Sequence, residues 1–346
     1  MNDKLPENQE PQVYPDRRRK RRHKKHTFAK VVITIVLSAM LIVAVIQTVF
    51  PSFWGNHVFS LEQFYEEIIN NGILQGGTVP DLDIDLGQLY SPYAILVDAD
   101  TGTTIAERNC HDRIYPASLT KIMTAVIAIE KTDDLDQTIT LPSDIFQPLY
   151  EEGASMAGFQ PGEEATLREL LYGILLPSGA ECCMAFVDRI AGSEEAFAEL
   201  MNQKASELGM DDTHFCNATG LHDPDHYTTV ADISILLRYA LENETFRAAF
   251  TSSRYSIQPT PQHPEGFTFF STMFQYMDST EVAGGQIIGG KTGYTEEAGL
   301  CLASLASING REYILVTAKA NGSHETEQFH ILDAINVYNQ IGEQQD

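Results

Sequence analysis

The sequence predicts an α+β domain that follows a single membrane-spanning helix. Residues 31–50 form a stretch of 20 residues without a charge, which is long enough to cross a hydrocarbon core of about 30 Å. Apolar β-type segments separated by turn sequences lie near both ends of the remaining chain, whereas residues 118–250 are mostly helical in pattern. Together these predict a five-stranded antiparallel sheet flanked by helices, with a mainly helical subdomain.

The N-terminal segments predict the topology. Residues 1–30 contain ten Lys and Arg against four Asp and Glu, and such a basic segment stays in the cytoplasm. We therefore expect a cytoplasmic tail over 1–30, a transmembrane signal-anchor helix over 31–50, an extracellular linker over 51–89 and one large domain over 90–346. A cleavable signal peptide is the alternative, but no Ala-x-Ala-like site follows the apolar run. The prediction is a single-pass protein of the cell membrane with its large domain outside.

Charge and cysteine content exclude other classes. The whole chain carries −25, and removing the +6 of the basic tail leaves −31 on the rest, which argues against nucleic-acid binding. The basic cluster is better explained as a topology signal, with contact to anionic lipids. The cysteines are odd in number and irregular in spacing, so they predict no disulfide framework. They are Cys110, Cys182, Cys183, Cys216 and Cys301.

The elements of the large domain follow from local patterns. Strands over 93–98 and 103–107 flank an Asp-Thr-Gly turn, and an apolar helix begins at Ser118. A β-branched run ending in glycines precedes Lys291, which is typical of a strand that a ligand backbone approaches closely. Strands over 300–307 and 312–320 are separated by Asn-Gly, the strongest short hairpin signal in the chain. The last helix covers about 331–338.

Ser118 and Lys121 are the first candidate site residues. No other serine has lysine three positions later, and this spacing places both side chains on one helix face. A neighbouring amine can take the proton of a serine hydroxyl if burial or other cations lower its pKa. A helix N-terminus also favours an oxyanion beside the serine. The pair alone is weak evidence, because chance placement of a solvated serine and lysine on a helix is the better explanation until other motifs are considered.

The second candidate is the tripeptide Lys291, Thr292 and Gly293. The lysine offers a positive charge to an anionic group, and the threonine offers a hydroxyl. The tripeptide is common by itself. Its position some 170 residues after Ser118 and Lys121, in that order, makes a chance match much less plausible.

The chain resembles the serine D-alanyl-D-alanine carboxypeptidases, the low-molecular-weight penicillin-binding proteins of peptidase family S11. Residues 93–102 are similar to the family's opening strand and turn, 115–124 to its nucleophile segment, 170–179 to the approach to its middle motif, and 291–299 to its third motif. The resemblance covers roughly residues 90–340. It implies a penicillin-binding-protein and serine β-lactamase-like fold.

The resemblance implies a mechanism without a cofactor or metal. A serine attacks the carbonyl between the last two D-alanines of a peptidoglycan stem peptide, and water hydrolyses the acyl-enzyme. The backbone N–H groups of Ser118 and Tyr294 would form the oxyanion hole. Partners are then stem peptides ending in D-Ala-D-Ala, β-lactam antibiotics as covalent inhibitors, and the membrane through the N-terminal helix. The implied catalytic residues are Ser118, Lys121 and Ser178, and the implied substrate-binding residues are Lys291, Thr292, Gly293 and Tyr294.

One position departs from the family pattern. The middle motif is Ser-x-Asn in the family, whereas this chain has Ser178, Gly179 and Ala180. Loss of a polar group that acts in the transition state can cost on the order of 100-fold in rate. The alternative function is therefore a catalytically impaired penicillin-binding homologue that acts as a peptidoglycan sensor or scaffold.

Two other enzyme classes fit the sequence less well. A class A β-lactamase needs a deacylating glutamate in a Glu-x-x-Leu-Asn setting, which Glu169 does not have. A zinc carboxypeptidase would need a ligand pair, but Pro224 between His222 and His226 disfavours a helical pair, and there is no His-Glu-x-x-His. We expect a structural role for these histidines.

Overall fold

The computed structural model describes residues 81–344, which belong to the unit that spans residues 78–346. The predicted cytoplasmic tail, the predicted transmembrane helix and most of the predicted linker lie outside the described residues. Within residues 81–344, every helix is too short or too polar to cross a membrane.

A six-stranded antiparallel sheet forms the centre of this unit. Its strands are β1 Tyr93–Asp98, β2 Thr104–Arg108, β7 Glu281–Val282, β8 Gly285–Thr295, β9 Gly299–Ile308 and β10 Arg311–Ala320. They lie in the order β2-β1-β10-β9-β8-β7. The first and last strands of the domain therefore meet inside the sheet, where β1 pairs with β10.

The prediction of five strands was one strand short. The additional edge strand, β7, has two residues, and Val282 pairs with Gly285 at the start of β8. A strand of this length shows no periodicity, so the sequence carries no signal for it. The hairpin of β9 and β10 is confirmed: Asn309 and Gly310 both have positive φ, at 49° and 77°, as a type I′ turn requires.

Nine α-helices and two small two-stranded sheets complete residues 81–344. The small sheets are β3 Thr138–Thr140 with β4 Glu164–Thr166, and β5 Arg254–Ile257 with β6 Phe267–Phe270. The sheet of β3 and β4 lies within the predicted helical region, which is otherwise mostly helical as expected. The helices are α1 Thr120–Glu130, α2 Phe146–Glu151, α3 Leu167–Leu175, α4 Ala180–Ile190, α5 Glu194–Leu208, α6 Val230–Leu241, α7 Glu244–Phe250, α8 Thr272–Gln275 and α9 Phe329–Glu343.

The sheet separates two hydrophobic cores. One core lies between the sheet and α9, where the buried Tyr338 accepts a hydrogen bond at 3.1 Å from the backbone N–H of Leu315 on β10. The larger core lies on the other face and includes α1, which is buried from Thr120 to Ala128. A helix that is buried over nine consecutive residues, and so on all its faces, must be surrounded by other elements. The helix that follows the candidate nucleophile is therefore held from every side.

Candidate active site

A strained turn presents Ser118 at the start of α1. Ser118 is the middle residue of a short 3₁₀ turn, Ala117–Leu119, that leads directly into α1 at Thr120. Ala117 has a φ of 46°, a left-handed conformation that costs on the order of 1–3 kcal/mol for a residue with a side chain. Surrounding contacts must compensate that cost, and such strain is characteristic of functional sites.

Lys121 lies where a base for Ser118 is needed. Its Nζ donates a hydrogen bond to Ser118 Oγ at 3.2 Å and another to the carbonyl oxygen of Thr219 at 2.6 Å. The side chain is almost completely buried. Burial lowers the pKa of Lys121, and the neighbouring Cys183 and Glu181 oppose that effect. A lowered pKa favours the neutral amine, which is the form that accepts a proton.

Ser178 is paired with Lys291 rather than with Lys121. The Lys291 Nζ donates to Ser178 Oγ at 2.9 Å and to the carbonyl oxygen of Thr292 at 2.9 Å. Lys291 is fully buried, and burial followed by repulsion from Lys121 holds its pKa well below the ordinary value. Ser178 itself has a φ of 70°. The site thus contains two Ser–Lys pairs, and each serine contacts a different lysine.

Strand β8 lies against the nucleophile turn. A Cβ on Gly293 would lie 3.1 Å from both the carbonyl oxygen of Pro116 and the amide nitrogen of Ser118, so glycine allows the close approach. Thr292 Oγ1 is hydrogen-bonded to Thr272 Oγ1 at 2.7 Å. The Tyr294 ring packs edge-on against His324 with centroids 5.0 Å apart. These contacts bring the residues of the third motif to the same site as Ser118.

The loop over residues 217–221 contributes a contact that the sequence reasoning did not identify. Thr219 offers the carbonyl oxygen that fixes Lys121, and Asn217 Oδ1 accepts hydrogen bonds from the N–H groups of Thr219 and Gly220. Gly220 has a φ of 81°, and a Cβ there would lie 1.9 Å from the carbonyl oxygen of Ala117. The sequence signal was the Asn-x-x-Gly turn, but it does not reveal the partner.

Glu181 is a second residue that the sequence reasoning missed. It is fully buried, and its Oε1 accepts hydrogen bonds from the N–H groups of Ala157 and Gly158 at 2.7 and 2.9 Å. Burial raises the pKa of Glu181. Ala180 is also fully buried, and its N–H donates to the carbonyl oxygen of Ser155 at 2.8 Å. Both residues tie the Ser178 turn to the 155–158 loop.

His226 has the structural role that the sequence predicted. Its Nδ1 accepts a hydrogen bond from the Cys216 N–H at 3.0 Å, so Nε2 carries the proton and donates to Thr120 Oγ1 at 2.8 Å. Burial lowers the pKa of His226 to about 4, which keeps the ring neutral. His222 lies elsewhere, edge-on against Tyr115 at 4.7 Å.

Glu169 and the cysteines also agree with the sequence analysis. The Glu169 carboxylate accepts a hydrogen bond from the Thr166 N–H, and the Thr166 hydroxyl accepts one from the Glu169 N–H, which together form the capping box of α3. The Glu169 side chain thus caps this helix. All five cysteines are free thiols.

Comparisons with known proteins give the family and the fold. The family model for D-alanyl-D-alanine carboxypeptidases, Peptidase_S11, matches residues 82–322. D-alanyl-D-alanine carboxypeptidase DacF of Bacillus subtilis is 35% identical over 238 residues, covering 67% of this chain and 58% of the relative. DacD of Escherichia coli is 29% identical and is matched over 70% of this chain and 61% of its own length. The chain thus spans about three fifths of these curated relatives.

Solved structures show the same architecture. The DD-transpeptidase of Streptomyces K15 has a TM-score of 0.65 at 25% identity, covering 73% of this chain and 97% of that structure. A D-alanyl-D-alanine carboxypeptidase of Mycobacterium tuberculosis shares the fold with a TM-score of 0.62 at 24% identity, covering 77% and 94%. The penicillin-binding-protein-like fold expected from the sequence is therefore confirmed. With its motifs placed in that fold and the family model matching most of the described residues, the chain belongs to the S11 family of D-alanyl-D-alanine carboxypeptidases.

Proposed function

We propose that this protein is a serine D-alanyl-D-alanine carboxypeptidase that removes the terminal D-alanine of peptidoglycan stem peptides. The observation that carries the proposal is the pairing of Ser118 with the buried Lys121 in a site that also holds Ser178 and Lys291. The names of the S11 relatives support this reaction class.

The geometry supports an acyl-enzyme mechanism. The neutral Lys121 amine takes the Ser118 proton as Oγ attacks the carbonyl between the two D-alanines. The N–H groups of Ser118 and Tyr294 stabilise the oxyanion, as the family resemblance implies. Ser178 relays a proton to the leaving D-alanine amine. Water then hydrolyses the acyl-enzyme on Ser118.

Substrate binding follows from the charges on β8. Lys291 is buried with a lowered pKa, so a carboxylate that arrives beside it favours the ammonium form. The Thr292 hydroxyl adds a hydrogen bond to that carboxylate, and Gly293 and Tyr294 offer the strand edge for the peptide backbone. β-Lactams present a similar carboxylate and a reactive carbonyl, so we expect them to acylate Ser118.

The site is proposed to act outside the cell. The basic residues of 1–30 and the uncharged stretch 31–50 support a single-pass anchor with its N-terminus in the cytoplasm. The catalytic domain, residues 90–346, would then face the cell wall. This is where the peptidoglycan substrate lies.

The test is covalent labelling combined with product release. The full-length protein is incubated with a fluorescent penicillin and, separately, with a tripeptide that ends in D-Ala-D-Ala. We expect labelling and D-alanine release in the wild type and in Ser256→Ala, a matched change at an exposed serine on β5. Ser118→Ala should lose both.

The same experiment separates this proposal from the impaired homologue. The comparisons give no support to a sensor or scaffold. Labelling without any D-alanine release would nevertheless restore that alternative, and absence of labelling in the folded wild type would contradict both functions.

A further inference from the structure

Three side chains of different chemistry meet at the end of β2, outside the acylation site. The carboxylate of Glu107, the thiol of Cys110 and the imidazole of His111 each place a ligand atom within 4.8 Å of the other two. The Cys110 Sγ lies 3.7 Å from Glu107 Oε2. Ligand atoms that share one tetrahedral zinc ion are separated by roughly 3.5 Å, given bond lengths of about 2.0–2.3 Å.

The backbone that carries these side chains is fixed on both sides. The carbonyl oxygen of Cys110 accepts a hydrogen bond from the N–H of Ala231 at the start of α6. Ile114 and Thr228 exchange two backbone hydrogen bonds at 2.8 and 3.0 Å. The turn between these anchors is therefore held in place before any ligand arrives, which reduces the entropic cost of ordering a site.

Burial and charge also suit a cation. Glu107 and His111 are exposed, whereas Cys110 has 4% of its surface exposed. A metal ion here would combine two ligands from exposed side chains with one from a buried side chain. Residues 31–346 have a formal net charge of −31, which is the −25 of the whole chain less the +6 of residues 1–30. An acidic protein concentrates cations at its surface.

We propose that Glu107, Cys110 and His111 bind a zinc ion through one carboxylate oxygen, one thiolate and one imidazole nitrogen, with water as the fourth ligand. A thiolate combined with an imidazole selects a borderline-soft divalent metal over Mg²⁺ or Ca²⁺, which prefer all-oxygen sites. The thiol gives its proton to solvent when the metal binds.

The site would stabilise the connection between the sheet and the nucleophile. Residues 109–116 link β2 to the turn that carries Ser118, and the metal would join the end of β2 to the segment anchored on α6. Binding to the folded state alone stabilises a protein by mass action. This role does not depend on the proposed peptidase reaction.

The test uses Co²⁺ as a spectroscopic probe on the purified full-length protein under reducing conditions. We expect a thiolate-to-cobalt charge-transfer band in the near ultraviolet that Zn²⁺ abolishes. Cys110→Ser and His111→Ala should lose the band, and Glu107→Gln should weaken cobalt binding by about tenfold or more. Since Glu107 and His111 are exposed, their replacement leaves the core unchanged.

The matched control is Cys216→Ser, because Cys216 Sγ also lies near a histidine, 3.6 Å from His214 Nδ1. It should retain the band. No band in the wild type, a band that survives in Cys110→Ser, or a band that survives in His111→Ala would overturn the three-ligand site. Fluorescent-penicillin labelling of each variant reports its folding independently, so failure of the metal site is distinguishable from failure of the acylation site.

Discussion

At the scale of single residues, burial is the main control on the site. Lys121 and Lys291 are both removed from water, and burial lowers the pKa of each. Only Lys121 contacts the nucleophile. Lys121 is therefore suited to accept a proton. Lys291 lies beside Ser178, where a bound anionic group would favour its charged form.

Lys121→Arg tests the base. A guanidinium stays protonated, so it cannot accept the Ser118 proton. We expect penicillin acylation to slow by about 100-fold or more. In the wild type, the acylation rate should fall as the pH drops through the lowered pKa of Lys121, because protonation removes the base. That dependence should be absent from the variant.

The control for this change is Lys131→Arg, since Lys131 is exposed and directly follows the same helix. The rate of penicillin acylation of both variants and the wild type is measured over a range of pH by quenching the reaction at successive times. An unchanged rate in Lys121→Arg would show that another group takes the proton.

Ala180→Asn tests the departure from the family pattern. If Ala180 limits turnover, the restored amide should raise the rate of D-alanine release by about tenfold or more. Ala180 is fully buried, so the variant's thermal stability is measured together with kcat. Equal kcat values in a stable variant that still labels with penicillin would mean that other groups fulfil the role of the missing amide.

At the scale of elements, the site lies where three segments from distant parts of the chain converge. The nucleophile turn, strand β8 and the 217–221 loop approach closely: a Cβ on Gly220 would lie 1.9 Å from the Ala117 carbonyl oxygen, and one on Gly293 would lie 3.1 Å from the Ser118 nitrogen. The loop carbonyl of Thr219 in turn fixes Lys121. The active geometry is thus a property of backbone packing as much as of side chains.

Gly220→Ala tests the contact between the loop and the nucleophile turn. Gly220 and Gly209 both have positive φ, at 81° and 75°, but a Cβ on Gly209 would meet nothing within 4 Å. Both substitutions incur backbone strain of about 1–2 kcal/mol. Only Gly220→Ala should also displace the Ala117 carbonyl and reduce acylation strongly.

Penicillin labelling rates and urea unfolding of the two variants provide the measurement. If both variants lose the same stability and keep the same acylation rate, the close approach of the loop has no part in positioning Ser118.

At the scale of the whole molecule, the sheet separates two cores, and each contains a buried neutral histidine. His226 lies on the side of the active site and His330 on the side of α9. Burial lowers the pKa of each to about 4. In the unfolded chain each histidine takes up a proton near pH 6.5, whereas in the folded protein it does so only near pH 4. The free energy of unfolding therefore keeps its full value above pH 6.5 and falls as the pH drops toward 4.

His330→Phe should make the stability less sensitive to acid. When the pH drops from about 7.5 to about 5, His330 lowers the free energy of unfolding of the wild type by roughly 2 kcal/mol, and the variant should not show this decrease. Urea unfolding at both pH values measures this difference. Ile335→Val, at a partly buried apolar residue of the same helix, changes no titratable group and is the control that should keep the wild-type pH dependence. Parallel pH dependence in His330→Phe and wild type would contradict the assignment.

Local patterns in the sequence predicted much of the fold and of the site. The Asn309-Gly310 turn sets its own hairpin, and the spacing of Ser118 and Lys121 places them together on any helix. The two-residue strand β7 and the membrane anchor illustrate the limits: β7 is too short for a pattern, and the anchor remains a prediction outside the described residues.

The sequence by itself determined the family, the candidate pair of Ser118 and Lys121, and the order of the three motifs, because each of these resides in a short stretch of chain. Only the tertiary structure decided which lysine Ser178 contacts, which carbonyl holds Lys121, and which carboxylate supports the Ser178 turn. Lys291 and Ser178 are 113 residues apart, and Lys121 and Thr219 are 98 apart. Contacts over such separations depend on how the sheet and helices pack, and no local spacing encodes them.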